Sequence, residues 1–203
     1  FLQTAWESRG PALSSIETNE ARAARDWIET WVGLAAESKA GIVTFASGKS
    51  GQHTDAETES TLTQLAVELD YLVNVALDLG VTLALRPRHG DVVSTVAQWE
   101  RLQHWLQSKE LGLAADIGEM LQGHEIPLAA RLERHRQELA CIYLCDRRAG
   151  QQEDQPIGAG DVAHERLIEA LARINFAGPA IVRIEGHSHH GLRLAEQGIQ
   201  LFH

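Results

Sequence analysis

Cysteine is scarce in this 203-residue chain, which has only Cys141 and Cys145. They sit four residues apart in one apolar run. On an extended strand rising about 3.3 Å per residue, their Cα atoms would lie roughly 13 Å apart, beyond the reach of a disulfide. A disulfide-stapled fold is excluded, and the two are expected as reduced core thiols, which points to a cytoplasmic location. Apolar runs are short as well. None approaches the roughly 18 residues that a bilayer-spanning helix needs, so no membrane partner is expected. Positive charge is in deficit, with 18 Lys and Arg against 28 Asp and Glu for a formal net charge of −10. A surface of that sign repels a phosphate backbone, so nucleic acid is not an expected partner. Nothing looks like a long linker. With 44% hydrophobic and 23% charged residues, the composition is that of a globular protein able to bury one core, so residues 1–203 are expected to form a single domain. The opening stretch F-L-Q-T-A-W-E-S-R-G has no signal-peptide pattern and begins with Phe1 instead of Met, so further residues are expected upstream.

What the chain does have is a repeated form. V-T-L-A-L-R-P-R-H (81–89) is an apolar run that ends in two arginines either side of a proline. Alternation places Thr82, Ala84, Arg86 and Arg88 on one face of a strand and Val81, Leu83 and Leu85 on the other. L-G-L-A-A-D-I-G-E (111–119), A-C-I-Y-L-C-D-R (140–147) and P-A-I-V-R-I-E-G-H (179–187) also start apolar and finish charged, and G-I-V-T-F-A-S-G-K (41–49) is a milder copy. Helix-like segments separate these runs at roughly thirty- to forty-residue spacing, which argues for a parallel α/β sheet. In such sheets functional groups gather at the carboxyl ends of the strands, where this chain keeps its charges.

The helices follow from period. Ala24, Ile28, Trp31, Val32 and Ala35 mark an amphipathic helix from about Glu17 to Ser38, with Trp27 and Trp31 read as packing. Leu62, Leu65, Ala66, Leu69, Leu72, Val73 and Ala76 form one stripe of a helix from about Asp55 to Leu79, stopped by Gly80. Ser94 or Thr95 should cap a helix to about Gln107 with Trp99, Leu102 and Leu106 inward. A basic helix is expected over 128–139, another over 162–175 and a last one to about Phe202. Residues 1–16 read as a loop. S-G-K-S-G-Q-H (47–53) lacks the glycine spacing of a phosphate-binding loop and is read as a strand-end loop that brings His53 near the site. The polar stretch from Arg147 to Val162 reads as one long irregular loop, of the length usually given to lids and binding loops.

The order of these motifs resembles the xylose isomerase-like TIM barrels, the superfamily of sugar isomerases, sugar-phosphate epimerases and endonuclease IV-type repair enzymes. The resemblance rests on the L-A-L-R-P-R-H-G and D-I-G-E strand ends, on Y-L-C-D with the later P-I-G-A-G-D-V, and on G-P-A-I-V-R-I-E-G-H. It implies an α/β, TIM-barrel-like (β/α) repeat. Only the equivalents of the last five strands are present, the C-terminal portion of a barrel. The first three units, on the order of 70 of some 250 residues, are missing. Open edges would then be covered by upstream chain or by a partner, which leaves a homo-oligomer open.

The resemblance also implies a carbohydrate isomerase or epimerase, with a glutamate, an aspartate, a histidine and a second glutamate at successive strand ends holding a divalent metal. In this chain the first glutamate falls on Arg86, the second on Arg183 and the strand histidine on Tyr143. The histidines that follow the first glutamate and the aspartate fall on Arg88 and Glu119. Only Asp116 and Asp146 keep the pattern. Two carboxylates replaced by guanidinium groups change the local charge by +4, which opposes a divalent cation. Two readings follow. In one, no cofactor is held: Arg86, Arg88, Asp116, Glu119, Asp146, Arg183 and Glu185 line a non-catalytic pocket for a small anionic carbohydrate-like ligand, a sugar acid or sugar phosphate. In the other, an active isomerase keeps a relocated Mn, Mg or Zn ion on Glu185 with His187, His189, His89 or His53. A structural ion-pair network overlaps the first reading, and an interaction or scaffold protein is a third class.

Overall fold

A computed structural model describes residues 2–3, 12–15, 18–49, 55–148, 150–151, 153–183 and 191–200. The chain divides into two compact units, Phe1–Ala114 and Ala115–His203. Each is built of parallel strands and helices.

In the first unit, β1 (Leu2–Gln3), β2 (Ile42–Phe45), β3 (Thr82–Leu85) and the start of β4 (Gly112–Asp116) lie side by side and parallel. The register pairs Leu2 with Val43, Phe45 with Leu85 and Leu85 with Leu113. β1 corrects the expectation of an unbroken loop over 1–16: two residues suffice to join a parallel edge, too few for alternation to show. Between the strands run α1 (Thr18–Ser38), α2 (Asp55–Asp78) and α3 (Val96–Trp105). All seven residues of the α2 stripe are buried, because a 3.6-residue period brings them to one side of the helix. Gly80, at φ +68°, ends that helix in a conformation that a Cβ would oppose. Thr95 caps α3 by accepting from the Gln98 N–H, and Trp99, Leu102 and Leu106 are buried as the period requires. Trp27 and Trp31 meet edge to face at 5.8 Å, a packing contact.

The second unit holds the end of β4, then α4 (Ile117–Gln122), α5 (Leu128–Arg134), β5 (Leu139–Leu144), β6 (Asp146–Arg147), β7 (Asp154–Gln155), α6 (His164–Arg173), β8 (Ala180–Val182) and α7 (Gly191–Gln200). β5 and β8 are parallel, with Ile142 opposite Ala180 and Leu144 opposite Val182. The helix expected over 128–139 stops at Arg134, because buried His135 starts a turn whose carbonyl takes the Leu139 N–H, where β5 begins. The long polar loop is not irregular throughout. Its start folds as an antiparallel hairpin, β6 against β7, pairing Asp146 with Gln155 and Arg147 with Asp154.

Five parallel strands of three residues or more, β2, β3, β4, β5 and β8, thus stand among the described residues, where a closed TIM barrel has eight. Among the described residues no helix is long and apolar enough to cross a membrane. Cys141 and Cys145 are buried and not joined in a disulfide, as their spacing required.

Candidate functional site

In the second unit the carboxyl ends of β4, β5 and β8 converge on a buried ionic cluster. Asp116 ends β4 and caps α4, its Oδ1 accepting the Glu119 N–H at 3.1 Å. The ladder continues one residue beyond β8, with the Arg183 N–H donating to the Leu144 carbonyl at 2.8 Å. That bond fixes the Arg183 backbone beside the end of β5, and the guanidinium reaches Asp116, its Nη1 lying 3.1 Å from Oδ2. Arg183 Nη2 donates to Asp154 Oδ1 at 3.1 Å and lies 3.5 Å from Cys145 Sγ.

A second guanidinium completes the cluster. Arg147 donates from Nε to the same Asp154 Oδ1 at 2.8 Å and from Nη1 to Gln122 Oε1 at 2.8 Å, and its Nη2 is 3.1 Å from Glu119 Oε1. Asp154 therefore receives two arginines on one oxygen. Three acids, Asp116, Glu119 and Asp154, meet two bases, and every one of these side chains is nearly buried; Arg183 is the most open, at 11%. α4 comes close enough for these contacts because residue 118 is glycine: a Cβ there would lie 2.5 Å from Cys145 Sγ and 2.9 Å from Arg147 Nε. Burial, reinforced by the Asp116 charge, pushes the Cys145 thiol up to about 12 despite the nearby Arg183, so it is neutral here.

Asp146 has a different task. It is 0% exposed, and its Oδ1 accepts from the Arg147 and Val162 N–H groups at 3.0 and 3.1 Å. Its Oδ2 accepts from the Gly158 N–H at 2.8 Å and lies 3.2 Å from His164 Nε2. Burial alone would raise its pKa, but the His164 contact and the N–H groups of Gly160, Val162 and Gly158 outweigh it and hold the carboxyl below its ordinary 3.8. Those bonds tie residues 158–164 to the end of β5. Gly160 is required there, since a Cβ would fall 2.2 Å from Asp146 Oδ1.

The cluster thus unites Asp116, Glu119 and Arg183 of the expected site, while Asp146 holds the adjoining loop. Arg86 and Arg88 belong to the first unit. Arg86 is 2% exposed and its N–H continues the ladder to Phe45. Arg88 pairs with Asp91 at 3.0 Å. His89 is exposed. His53, Glu185, His187 and His189 lie outside the described residues. Arg147 and Asp154 were missed from the sequence. The strand-end rule that picked out Asp146 applied equally to Arg147, whereas Asp154 is one acid in a polar loop and carries no signal.

A protein-family model for the xylose isomerase-like TIM barrel matches residues 6–203. The chain belongs to that family. Among solved structures, a D-tagatose 3-epimerase-like protein is similar with a TM-score of 0.85 at 17% identity, over 99% of this chain and 76% of that one. The 3-keto-D-glucoside 4-epimerase YcjR from E. coli gives 0.77 at 16%, over 94% and 74%. The IOLI protein with a binding zinc atom gives 0.76 at 15%, over 94% and 70%. An L-ribulose 3-epimerase is spanned over only 63% of its length. A search of curated proteins finds no match. At these identities the likeness shows the fold.

The family pattern implies a divalent metal, and the second unit tests the fit. Of the pattern's positions in this unit, Asp116 is already ion-paired with the Arg183 guanidinium, and Tyr143 is buried at 1% exposure among the core side chains. A divalent ion on Asp116 would face that fixed cation at about 4 Å, a repulsion of roughly 8 kcal/mol at an effective dielectric near 20. The described residues at the pattern's positions in this unit do not fit such an ion. Among the described residues no group of three or more His, Cys, Asp or Glu is placed to hold a metal.

Proposed function

We propose that this family member works without the divalent metal and without the metal-dependent isomerase or epimerase chemistry, and that its strand ends recognise a small carbohydrate-like anion, a sugar acid or sugar phosphate. The observation that carries this reading is the 3.1 Å contact between Arg183 Nη1 and Asp116 Oδ2. It puts a permanent cation, which needs no loading and cannot act as a Lewis acid, against Asp116, one of the two acids that keep the pattern. Guanidinium forks match carboxylate and phosphate oxygens, so Arg183, together with Arg147, is suited to such a ligand. Asp116 and Glu119 hold the arginines in place, and Asp146 shapes the loop beside them. Two buried thiols outside any disulfide favour a reducing, cytoplasmic setting, and the net charge of −10 disfavours nucleic acid.

Elemental analysis of the purified chain, paired with ketose epimerisation assays in added Mn, Mg or Zn, tests the reading. The expected result is metal well below one ion per chain and no metal-dependent turnover. Near-stoichiometric metal, or turnover that rises with added metal, would reject it.

A further inference from the structure

We propose that Asp154 is an internal plug, a carboxylate delivered by the β6–β7 hairpin that occupies the Arg147–Arg183 pair and yields it to the carboxylate of a sugar acid. The inference rests on the anion-binding reading above and names what guards that site and which anion it prefers.

Three observations carry it. First, Asp154 Oδ1 sits between two guanidinium groups, 2.8 Å from Arg147 Nε and 3.1 Å from Arg183 Nη2. That is how a bound carboxylate would be held, yet the carboxylate comes from the short hairpin strand β7 and not from the carboxyl end of β4, β5 or β8. Second, the loop is built to release it. β7 is joined to β6 by a two-residue register, and Arg148, Gly150, Gln151 and Glu153 around it are exposed. The chain beyond is anchored separately, since Asp146 accepts from Gly158 and Val162. Parting so short a ladder leaves that anchor intact. Third, the charges balance. With Asp154 in place the cluster has three acids and two arginines. With Asp154 withdrawn, Asp116 and Glu119 neutralise Arg147 and Arg183, and one incoming carboxylate restores the original balance. A phosphate monoester, at about −1.5 to −2, would bring more negative charge than the plug removed. A sugar acid is therefore favoured over a sugar phosphate.

The test measures glucuronate, glucose 6-phosphate and glucose binding by calorimetry to the full chain and to Asp154→Asn, which keeps the shape and removes the charge. The expected result is glucuronate binding at least about tenfold tighter in the variant, weaker binding of glucose 6-phosphate, none of glucose, and loss of the gain when Arg183→Gln is added. An Asp154→Asn chain with unchanged circular dichroism that binds glucuronate no tighter overturns the plug. If wild-type binding nevertheless depends on Arg183, the anion site stands; if neither protein binds either anion, both ideas fall. Should Asp154→Asn not fold, hydrogen exchange of wild type decides. Glucuronate must speed exchange at the amides of Asp154 and Gln155, and unchanged or slower exchange sinks the proposal.

Discussion

Replacing Asp146 by Asn probes the joint that holds the site's loop. The side chain keeps its volume, but one of two acceptor oxygens becomes an amide that donates. If the remaining oxygen stays with the Arg147 and Val162 N–H groups, the new amide faces the Gly158 N–H, and His164 loses its anionic partner. Hydrogen bonds to a charged group are each worth about 1.5–3 kcal/mol, and a buried donor left facing another donor loses its solvation as well. Relaxation of the loop toward water limits the damage, so a loss of about 3 kcal/mol is expected. For a chain of this size that lowers Tm by roughly 6–12 °C. Urea unfolding followed by circular dichroism measures it, and a loss below about 1 kcal/mol would refute the assigned role.

The same variant carries a pH signature. The folded pKa of Asp146 lies below the ordinary 3.8. Its ionised form therefore contributes fully above that value, and the contribution is lost as pH falls through the lower folded value. The stability gap between wild type and Asp146→Asn should stay constant from neutral pH to about pH 5 and narrow only below pH 3.8. A gap that shrinks between pH 7 and 5 would refute the ionised, hydrogen-bonded role given to Asp146.

Three further outcomes are expected. Gly118→Ala should destabilise by about 1–3 kcal/mol although alanine is the better helix former, because its Cβ would press on Cys145 Sγ and Arg147 Nε; denaturant unfolding that shows a gain would contradict the close approach of α4. Cys145, buried and with its thiol raised to about 12, should resist iodoacetamide at pH 8 until the chain is unfolded, and labelling of native protein at the unfolded rate would overturn this. Thr95→Ala should cost about 1 kcal/mol by removing the cap on α3, read as a shift in the urea midpoint with an unchanged slope.

The sequence disclosed the parts of the fold that have a period. The seven-residue stripe of α2 and the inward Trp99, Leu102 and Leu106 of α3 are buried as spacing required, since each side chain's direction follows from its position along a long helix. Short elements were opaque for the converse reason. β1, β6 and β7 are two residues each, and no alternation can be read from two residues. Their existence depends on partners outside the element itself, Val43 for Leu2 and Arg147 for Asp154. The site was half legible. Asp116, Glu119 and Arg183 stand at ends of apolar runs, where an α/β fold exposes its chemistry. Asp146 stands there too, but its geometry gives it to backbone N–H groups, a use that the residue type alone does not reveal.

Why an arginine at position 183 can be tolerated at all follows from its neighbours. A lone guanidinium pressed into this pocket would carry a large desolvation cost, and so would Asp116 without it. Held 3.1 Å apart they offset one another, and Asp154 and Glu119 absorb the remaining charge of Arg183 and Arg147. Each member then depends on the others, since removing one partner of a buried ion pair typically costs about 3–5 kcal/mol. A return to a metal-holding carboxylate at position 183 would leave four acids against Arg147 alone. It would be stable only with a cation already bound, and Arg147 would still donate to Asp154 beside it. The guanidinium at position 183 is thus supported by several side chains at once, which is what the proposed metal-free reading of the second unit requires.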